Sequence, residues 1–343
     1  MKKSKTDIYL FPVLVVLLIA TFILSAGFGA VNITTDEMLS ALKKWAAHSD
    51  DKTLNERIFL NLRLPRAILC VFVGASLAVG GTLLQALFRN PIVEPGLIGT
   101  SSGAAFGSAF YFTLGASLGF NTSAWGLPIA AFVGGVLATY LVFGLSQSKD
   151  SGKHSVVVLL LIGIAINALC LSGIGFLSYI STDPQARSIT FWSMGTLSGA
   201  NWNSVLIVGI ATAVCIIMAL RHSNPLNALM LGENEAMFLG VKINRLKLIV
   251  LSIDVLMIAV ATAFVGVIGF VGLVVPHLMR ILKGADNRYL ITSTALSGAI
   301  LLGLADLLAR NLFVPAELPI GIVTSIVGVP VFIIMLRSRK YIF

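Results

Sequence analysis

The sequence has 343 residues, 57% of them hydrophobic and 11% charged, with a mean hydropathy of +0.94. A soluble domain carries roughly a quarter charged residues, so this chain lacks the charge to cover a water-facing surface and reads as a polytopic membrane protein. Its net charge of +9, from 24 Lys and Arg against 15 Asp and Glu, reads as a topology signal and gives no reason to expect nucleic acid.

Ten membrane spans are expected, all helical because a helix satisfies its own backbone where no water can. The first, 8–30, follows Lys2 and Lys3. Its apolar run exceeds the ~7–15 residues of a signal-peptide core, so it is read as a retained anchor. An external first loop at about 31–62 leads to span two, 65–87. Spans three and four, 96–114 and 125–146, lie in a stretch, 95–148, of 54 consecutive residues without Asp, Glu, Lys or Arg. The remaining spans are 155–179, 203–220, 248–265, 270–282, 290–309 and 318–336. The eighth is short and carries Pro276 and His277, the mark of a partial or broken helix. Gly74 with Ala78, and Gly99 with Gly103, are small-xxx-small spacings that let helix backbones approach closely.

The basic residues orient this map. With the N-terminus inside, the cytoplasmic segments hold 16 of the 24 Lys and Arg, and six of the other eight lie in one external segment, 31–66. Short-loop Lys and Arg set orientation, so both termini are expected in the cytoplasm. Cys70, Cys170 and Cys215 lie in apolar tracts without CxxC spacing and read as small buried hydrophobes.

Four features depart from plain hydrophobicity. Residues 89–103 join spans two and three through two prolines, three glycines and Glu94; irregular backbone here fits either a break beside a transport pathway or a tight capped turn. Residues 225–241 are too polar to span yet carry helical apolar spacing at Leu226, Leu229 and Met230, then Ala236, Leu239 and Val241, with Gly232 and Gly240 dividing two short helices. Such a face in a cytoplasmic loop either packs under the bundle or receives a soluble partner, and on residues alone packing is favoured. Asp306 and Arg310 are four apart on one helix face and read as a pair, Arg310 lying near Glu317 at the external end. Asp254 is an ionisable residue within a span.

Several chemistries are missing from the sequence. No P-loop, HExxH, nucleophile elbow or clustered catalytic carboxylates occur; Gly152-Lys153-His154-Ser155 lacks the first glycine of a P-loop and the Ser or Thr after its lysine. His48, His154 and His222 show no metal-ligand spacing. Neither a cofactor nor a metal site is expected, and no residue is expected to be catalytic. Active transport would need an ion gradient or a second protein; for an ion-coupled carrier, Asp254 is the candidate ligand.

Taken together, the motifs resemble the FecCD-type permeases of iron-siderophore, haem and cobalamin ABC importers. They are Arg63-Leu64-Pro65-Arg66; Gly74-Ala75-Ser76-Leu77-Ala78 with Gly80-Gly81, Gln85 and Arg89-Asn90-Pro91; Glu94-Pro95-Gly96-Leu97-Ile98-Gly99 and Ser102-Gly103-Ala104. Later come Leu231-Gly232-Glu233, Ala236, Leu239-Gly240-Val241, the run from Phe270 to Arg280, Asp306, Arg310, Glu317-Leu318-Pro319-Ile320-Gly321 and Gly328-Val329-Pro330-Val331-Phe332. They run in order from about residue 60 to the C-terminus.

The resemblance implies an all-α permease of the cobalamin-importer type, a single domain over 1–343 with about ten transmembrane helices. It implies a homodimer, its pathway on the dimer axis, in the bacterial cytoplasmic membrane. Cytoplasmic ATP-binding subunits would dock on 225–241, at Leu231, Gly232, Glu233, Ala236, Leu239 and Gly240, which reverses the packing preference above. Acidic residues of an external substrate-binding protein would be met by Arg63, Arg66 and Arg310. Glu94 and the 89–99 break then read as a structural turn. The implied substrate is an iron chelate, siderophore or haem, with cobalamin as the alternative. The run Thr190-Phe191-Trp192-Ser193-Met194-Gly195 is more similar to haem permeases than to most siderophore ones.

Overall fold

The computed structural model describes residues 5–29, 31–115, 119, 124–146, 156–313 and 316–337. Among these every regular element is helical. The helices are α1 (Lys5–Gly27), α2 (Thr35–Ala46), α3 (Leu54–Ile58), α4 (Leu64–Phe88), α5 (Thr100–Leu114), α6 (Gly126–Leu145), α7 (Val156–Ile180), α8 (Asp183–Ser193), α9 (Trp202–Arg221), α10 (Ser223–Leu231), α11 (Glu233–Phe238), α12 (Ile243–Val265), α13 (Val271–Lys283), α14 (Asn287–Asn311) and α15 (Ile320–Arg337).

Each of the ten expected spans coincides with a helix: α1, α4, α5, α6, α7, α9, α12, α13, α14 and α15 in turn. Seven helices among the described residues are long and apolar enough to cross a bilayer. For α13 and α5, two of the three that fall short, the cause is local. At 13 residues, α13 rises only about 20 Å against a hydrocarbon core of about 30 Å; it begins inside the bundle, where Gly272 meets Gly81 of α4. The segment that would lengthen α5 is spent on a 3₁₀ turn, Pro95–Ile98.

The largest departure from the sequence reading is at the second span. The helix that carries it starts at Leu54, outside the expected span, and runs unbroken to Phe88 through a π-turn at Phe59–Arg63. Thr53 and Glu56 form a capping box that starts this helix eleven residues before position 65. The external first loop is therefore mostly helix. Glu56 is buried there between α2 and α3, accepting from Ser40 Oγ at 2.6 Å and Lys44 Nζ at 3.0 Å.

The core is α4, α12 and α14, with α1, α6 and α7 at the rim. Burial separates them plainly: 83% of the best apolar window of α4 lies inside the protein against 17% for α7. Close approach makes this dense centre. A Cβ on Gly74 would lie 2.4 Å from the Gly298 carbonyl oxygen, and one on Gly81 would lie 1.8 Å from that of Gly272. Gly103 meets Gly134 between α5 and α6 in the same way, so the small-residue spacing marks true helix contacts.

The chain alternates between two ends. At one end lie α2, α3, α8 and the connection from α14 to α15. At the other lie α10, α11, the start of α14 and the first turns of α1, where Lys283 Nζ stands 4.1 Å from the Phe11 ring centre.

Candidate functional site

At the α2 end, Arg66 sits in the first turn of α4 and reaches two carboxylates. Its Nε and Nη2 donate to Asp306 Oδ1 at 3.1 and 2.8 Å, and its Nη1 donates to Glu317 Oε1 and Oε2 at 3.1 and 2.8 Å. Asp306 is fully buried and is shared with Arg310, whose Nε lies 3.0 Å from Asp306 Oδ2. The four-residue pair read from sequence therefore forms, as one half of a larger cluster.

Arg310 turns inward to α1. Its Nη2 donates to the Ser25 carbonyl oxygen at 3.0 Å and to Ser25 Oγ at 2.9 Å. Arg63 caps the same chain end, donating to the carbonyl oxygens of Phe28 at 2.7 Å and Val31 at 3.3 Å. Three guanidinium groups thus face two carboxylates, leaving a local charge of +1. The cluster ties together α1, α4, α14 and the lead into α15, which a sequence 343 residues long displays only as scattered arginines.

At the other end, α10 and α11 form a short bent arm. The spacing singled out from sequence splits into two faces. Leu226, Leu229 and Ala236 are fully buried, and Met230 and Val241 pack beside them. Leu239, expected on that same face, is exposed, and with Leu231, Met237 and Phe238 it makes an apolar surface in which Phe238 is 91% exposed. Ala236 is thus a packing residue, and any partner would meet the outward set. Met237 and Phe238 are the contributors that the helical template passed over.

The arm is anchored at both joints. Gly232 takes φ 146° between α10 and α11, a backbone region that a side chain disfavours. Glu233 pairs with Lys247 of α12, Nζ to Oε1 at 2.7 Å. Asn227 Nδ2 donates to Asp286 Oδ1 at 2.7 Å, and Asn227 Oδ1 accepts from the Asn287 backbone N–H at 2.9 Å. Hydrogen bonding from Arg288 holds the Asp286 carboxyl down at about 2, so this anchor keeps its charge at physiological pH. Gly240, also at positive φ, closes α11.

Between the two ends, the 89–99 break is a fixed turn. Arg89 ends α4 in the left-handed region at φ 49°, and Asn167 of α7 donates from Nδ2 to the Gly96 carbonyl oxygen at 3.0 Å. Asn167 also meets Ser102 Oγ. Residues 187–199 cover α8 and its exit. There Ile320 N–H donates to the Gly195 carbonyl oxygen at 3.1 Å and Thr196 N–H to that of Val265 at 2.7 Å, so the ends of α8, α12 and the start of α15 meet at one junction. Phe191 of that run is exposed and Trp192 is buried.

Asp254 lies wholly buried in α12, its carboxylate facing Gly80, and neither oxygen has a hydrogen-bond partner among the described residues. No group of three His, Cys, Asp or Glu that could hold a metal ion occurs among the described residues.

Comparison with known proteins places this geometry in context. Residues 17–338 match the model of the FecCD transport family. The hemin transport system permease HmuU of Yersinia pestis is 42% identical over 328 residues, 95% of both chains. The vitamin B12 import permease BtuC of Salmonella typhi is 36% identical over 90% of this chain and 93% of its own. The molybdate import permease MolB of Haemophilus influenzae is 35% identical over 95% of each. Among solved structures, an inward-facing conformation of a metal-chelate type ABC transporter matches with a TM-score of 0.83 at 34% identity, covering 96% of this chain and 98% of that one.

Proposed function

The chain belongs to the FecCD transport family of multi-pass membrane permeases, and from that membership we propose the finer role: the membrane-spanning subunit of an ATP-driven importer that carries an iron chelate, haem or a ferric siderophore, across the bacterial cytoplasmic membrane. The observation that carries the substrate reading is the 42% identity to a hemin permease across 95% of both chains. Cobalamin is the second reading, favoured by the 36% identity to vitamin B12 permeases.

In this proposal the chain works as a homodimer around a central pathway and performs no chemistry itself. ATP is hydrolysed in separate cytoplasmic subunits that grip the exposed Leu231, Met237, Phe238 and Leu239. Aromatic residues and Met are enriched at protein interfaces, which singles out Phe238 and Met237 among them. Gly232 sets the bend, and the Glu233–Lys247 and Asn227–Asp286 contacts link the arm to α12 and α14. A push on the arm is thereby delivered to the two helices packed against α4. In this reading the α10–α11 end faces the cytoplasm and both termini lie inside, which the basic-residue bias of the sequence supports.

At the external end, Arg63 and Arg66 receive acidic residues of a substrate-binding protein that supplies the affinity for the chelate; Arg310, expected to share that role, is buried on Asp306 and Ser25 and acts by holding the cluster in place. The surplus positive charge favours such a partner, and rim charges act mainly on encounter and orientation.

The test is reconstitution in liposomes with the ATPase and binding protein. ATP-dependent accumulation of haem or a ferric siderophore is expected. Accumulation of cobalamin or molybdate in place of the chelates would overturn the substrate reading. Charge reversal at Arg63 and Arg66 is expected to weaken docking, and unchanged docking would remove their role.

A further inference from the structure

We propose that Glu317 is an internal stand-in for the binding protein's acidic group: it holds Arg66 while the external site is empty and is displaced when the partner docks. This rests on the docking role of Arg66 proposed above.

The geometry separates the two acids on Arg66. Asp306 is fully buried, accepts from Nε and Nη2, and is held on its other oxygen by Arg310. It cannot leave without stranding two arginines in the protein. Glu317 takes only the remaining Nη1 edge, with both of its oxygens, and its side chain is 43% exposed while that of Arg66 is 12% exposed. Glu317 is the solvent-facing partner of this pair, where water and salt weaken the attraction, so an incoming carboxylate of matching geometry can replace it. The guanidinium edge that Glu317 covers is the one turned toward solvent.

The position of Glu317 gives the exchange a consequence. It lies three residues before α15, whose first turn is tied to the α8–α9 junction by Ile320 N–H to the Gly195 carbonyl oxygen and Gly321 N–H to the Met194 carbonyl oxygen. On the other side, Leu318 N–H donates to the Ala309 carbonyl oxygen at 3.0 Å. Releasing Glu317 removes the charged tether of this connection to α4 and leaves its backbone contacts and the packing of Leu318. Docking would thus loosen the entry to α15.

The experiment uses the complete transporter in lipid nanodiscs and its own binding protein. Glu317→Gln is expected to tighten docking roughly two- to fivefold, the range set by an exposed ion pair. Asp36→Asn, which removes the same charge from an exposed position at the same end, is expected to leave the affinity within error. A spin label at Ala316→Cys reads the connection directly, because Cys70, Cys170 and Cys215 are buried. The label is expected to gain mobility when the binding protein docks, and to be mobile before docking when Glu317→Gln is added. Unchanged affinity in Glu317→Gln, with Arg66→Glu still abolishing docking, would overturn the exchange and leave the docking role intact. Equal tightening in Asp36→Asn would also overturn it, assigning the effect to long-range charge. Docking that survives Arg66→Glu would overturn the docking role and the exchange with it.

Discussion

Arg66 and Asp306, 240 positions apart in the chain, meet with Nη2 2.8 Å from Oδ1, and Asp306 is wholly buried. This ion pair joins the first turn of the central helix α4 to the last turns of α14, and through Arg310 it reaches α1. Removing one partner of a buried pair strands the other, at a cost of about 3–5 kcal/mol. Asp306→Ala is therefore expected to lower the stability of the detergent-solubilised chain by that amount. Glu317→Ala, at the exposed side of the same arginine, should cost no more than ~1 kcal/mol. Thermal unfolding of the two variants checks the order, and equal losses would show that Asp306 is not the anchor.

The arm at the opposite end separates folding from partner contact. Phe238 is 91% exposed, while Ala236 beside it is fully buried. Phe238→Ala is expected to leave the melting temperature unchanged within the ~0.5 kcal/mol typical of surface changes. If the side chain anchors the ATPase, the same change should weaken that association by ~2 kcal/mol or more, about 30-fold, and lower transport-coupled hydrolysis with it. Ala236→Leu should do the reverse, damaging the fold first, because overpacking a filled site costs about 1–3 kcal/mol. Co-purification of the ATPase with each variant measures the difference.

Two helical glycines give a matched test of the core. A Cβ on Gly81 would sit 1.8 Å from the backbone oxygen of Gly272, whereas one on Gly144 would meet nothing within 4 Å. Gly81→Ala must push α13 away from α4, so poor yield or a loss of ~1–3 kcal/mol or more is expected. Gly144→Ala lies in an open position of α6, and alanine is the better helix former by ~1 kcal/mol, so its stability should hold or rise. Thermal melts of the two purified variants decide it.

The membrane architecture was legible because the bilayer imposes its own rule: apolar stretches of fixed length must be helices. Every expected span has its helix, and even the shortness of α13 was visible at Pro276 and His277. The extension of the second span's helix back to Leu54, outside the expected span, is not evident because Glu56, Arg57 and Arg63 look like loop residues. The Thr53–Glu56 capping box was the signal available there. The i,i+4 pairing of Asp306 and Arg310 could be read from spacing, but the link to Arg66 could not, since nothing local records which helix ends meet. In the arm, a periodic template finds the residues that pack, such as Leu226 and Leu229, and passes over Phe238 because it points the other way.

Asp254 carries the last prediction, because it is the residue on which an ion-coupled mechanism would depend. Its carboxyl group is buried against Gly80, with no hydrogen-bond partner on either oxygen and no set of metal-ligating side chains around it among the described residues. A transported cation needs several converging oxygen ligands, and a proton carrier needs a relay of polar groups across the membrane. Among the described residues no hydrogen bond starts a relay at Asp254 and no cluster of His, Cys, Asp or Glu surrounds it. Asp254→Asn keeps the shape and removes the ionisable group, so ATP-driven uptake in liposomes is expected to stay within about twofold of the parent, consistent with a side chain whose contribution is packing. Collapsing the ion gradients with an ionophore should likewise leave uptake unchanged. Loss of uptake in the variant, with its melting temperature intact and a matching sensitivity to the ionophore, would shift the energy source from ATP to an ion gradient.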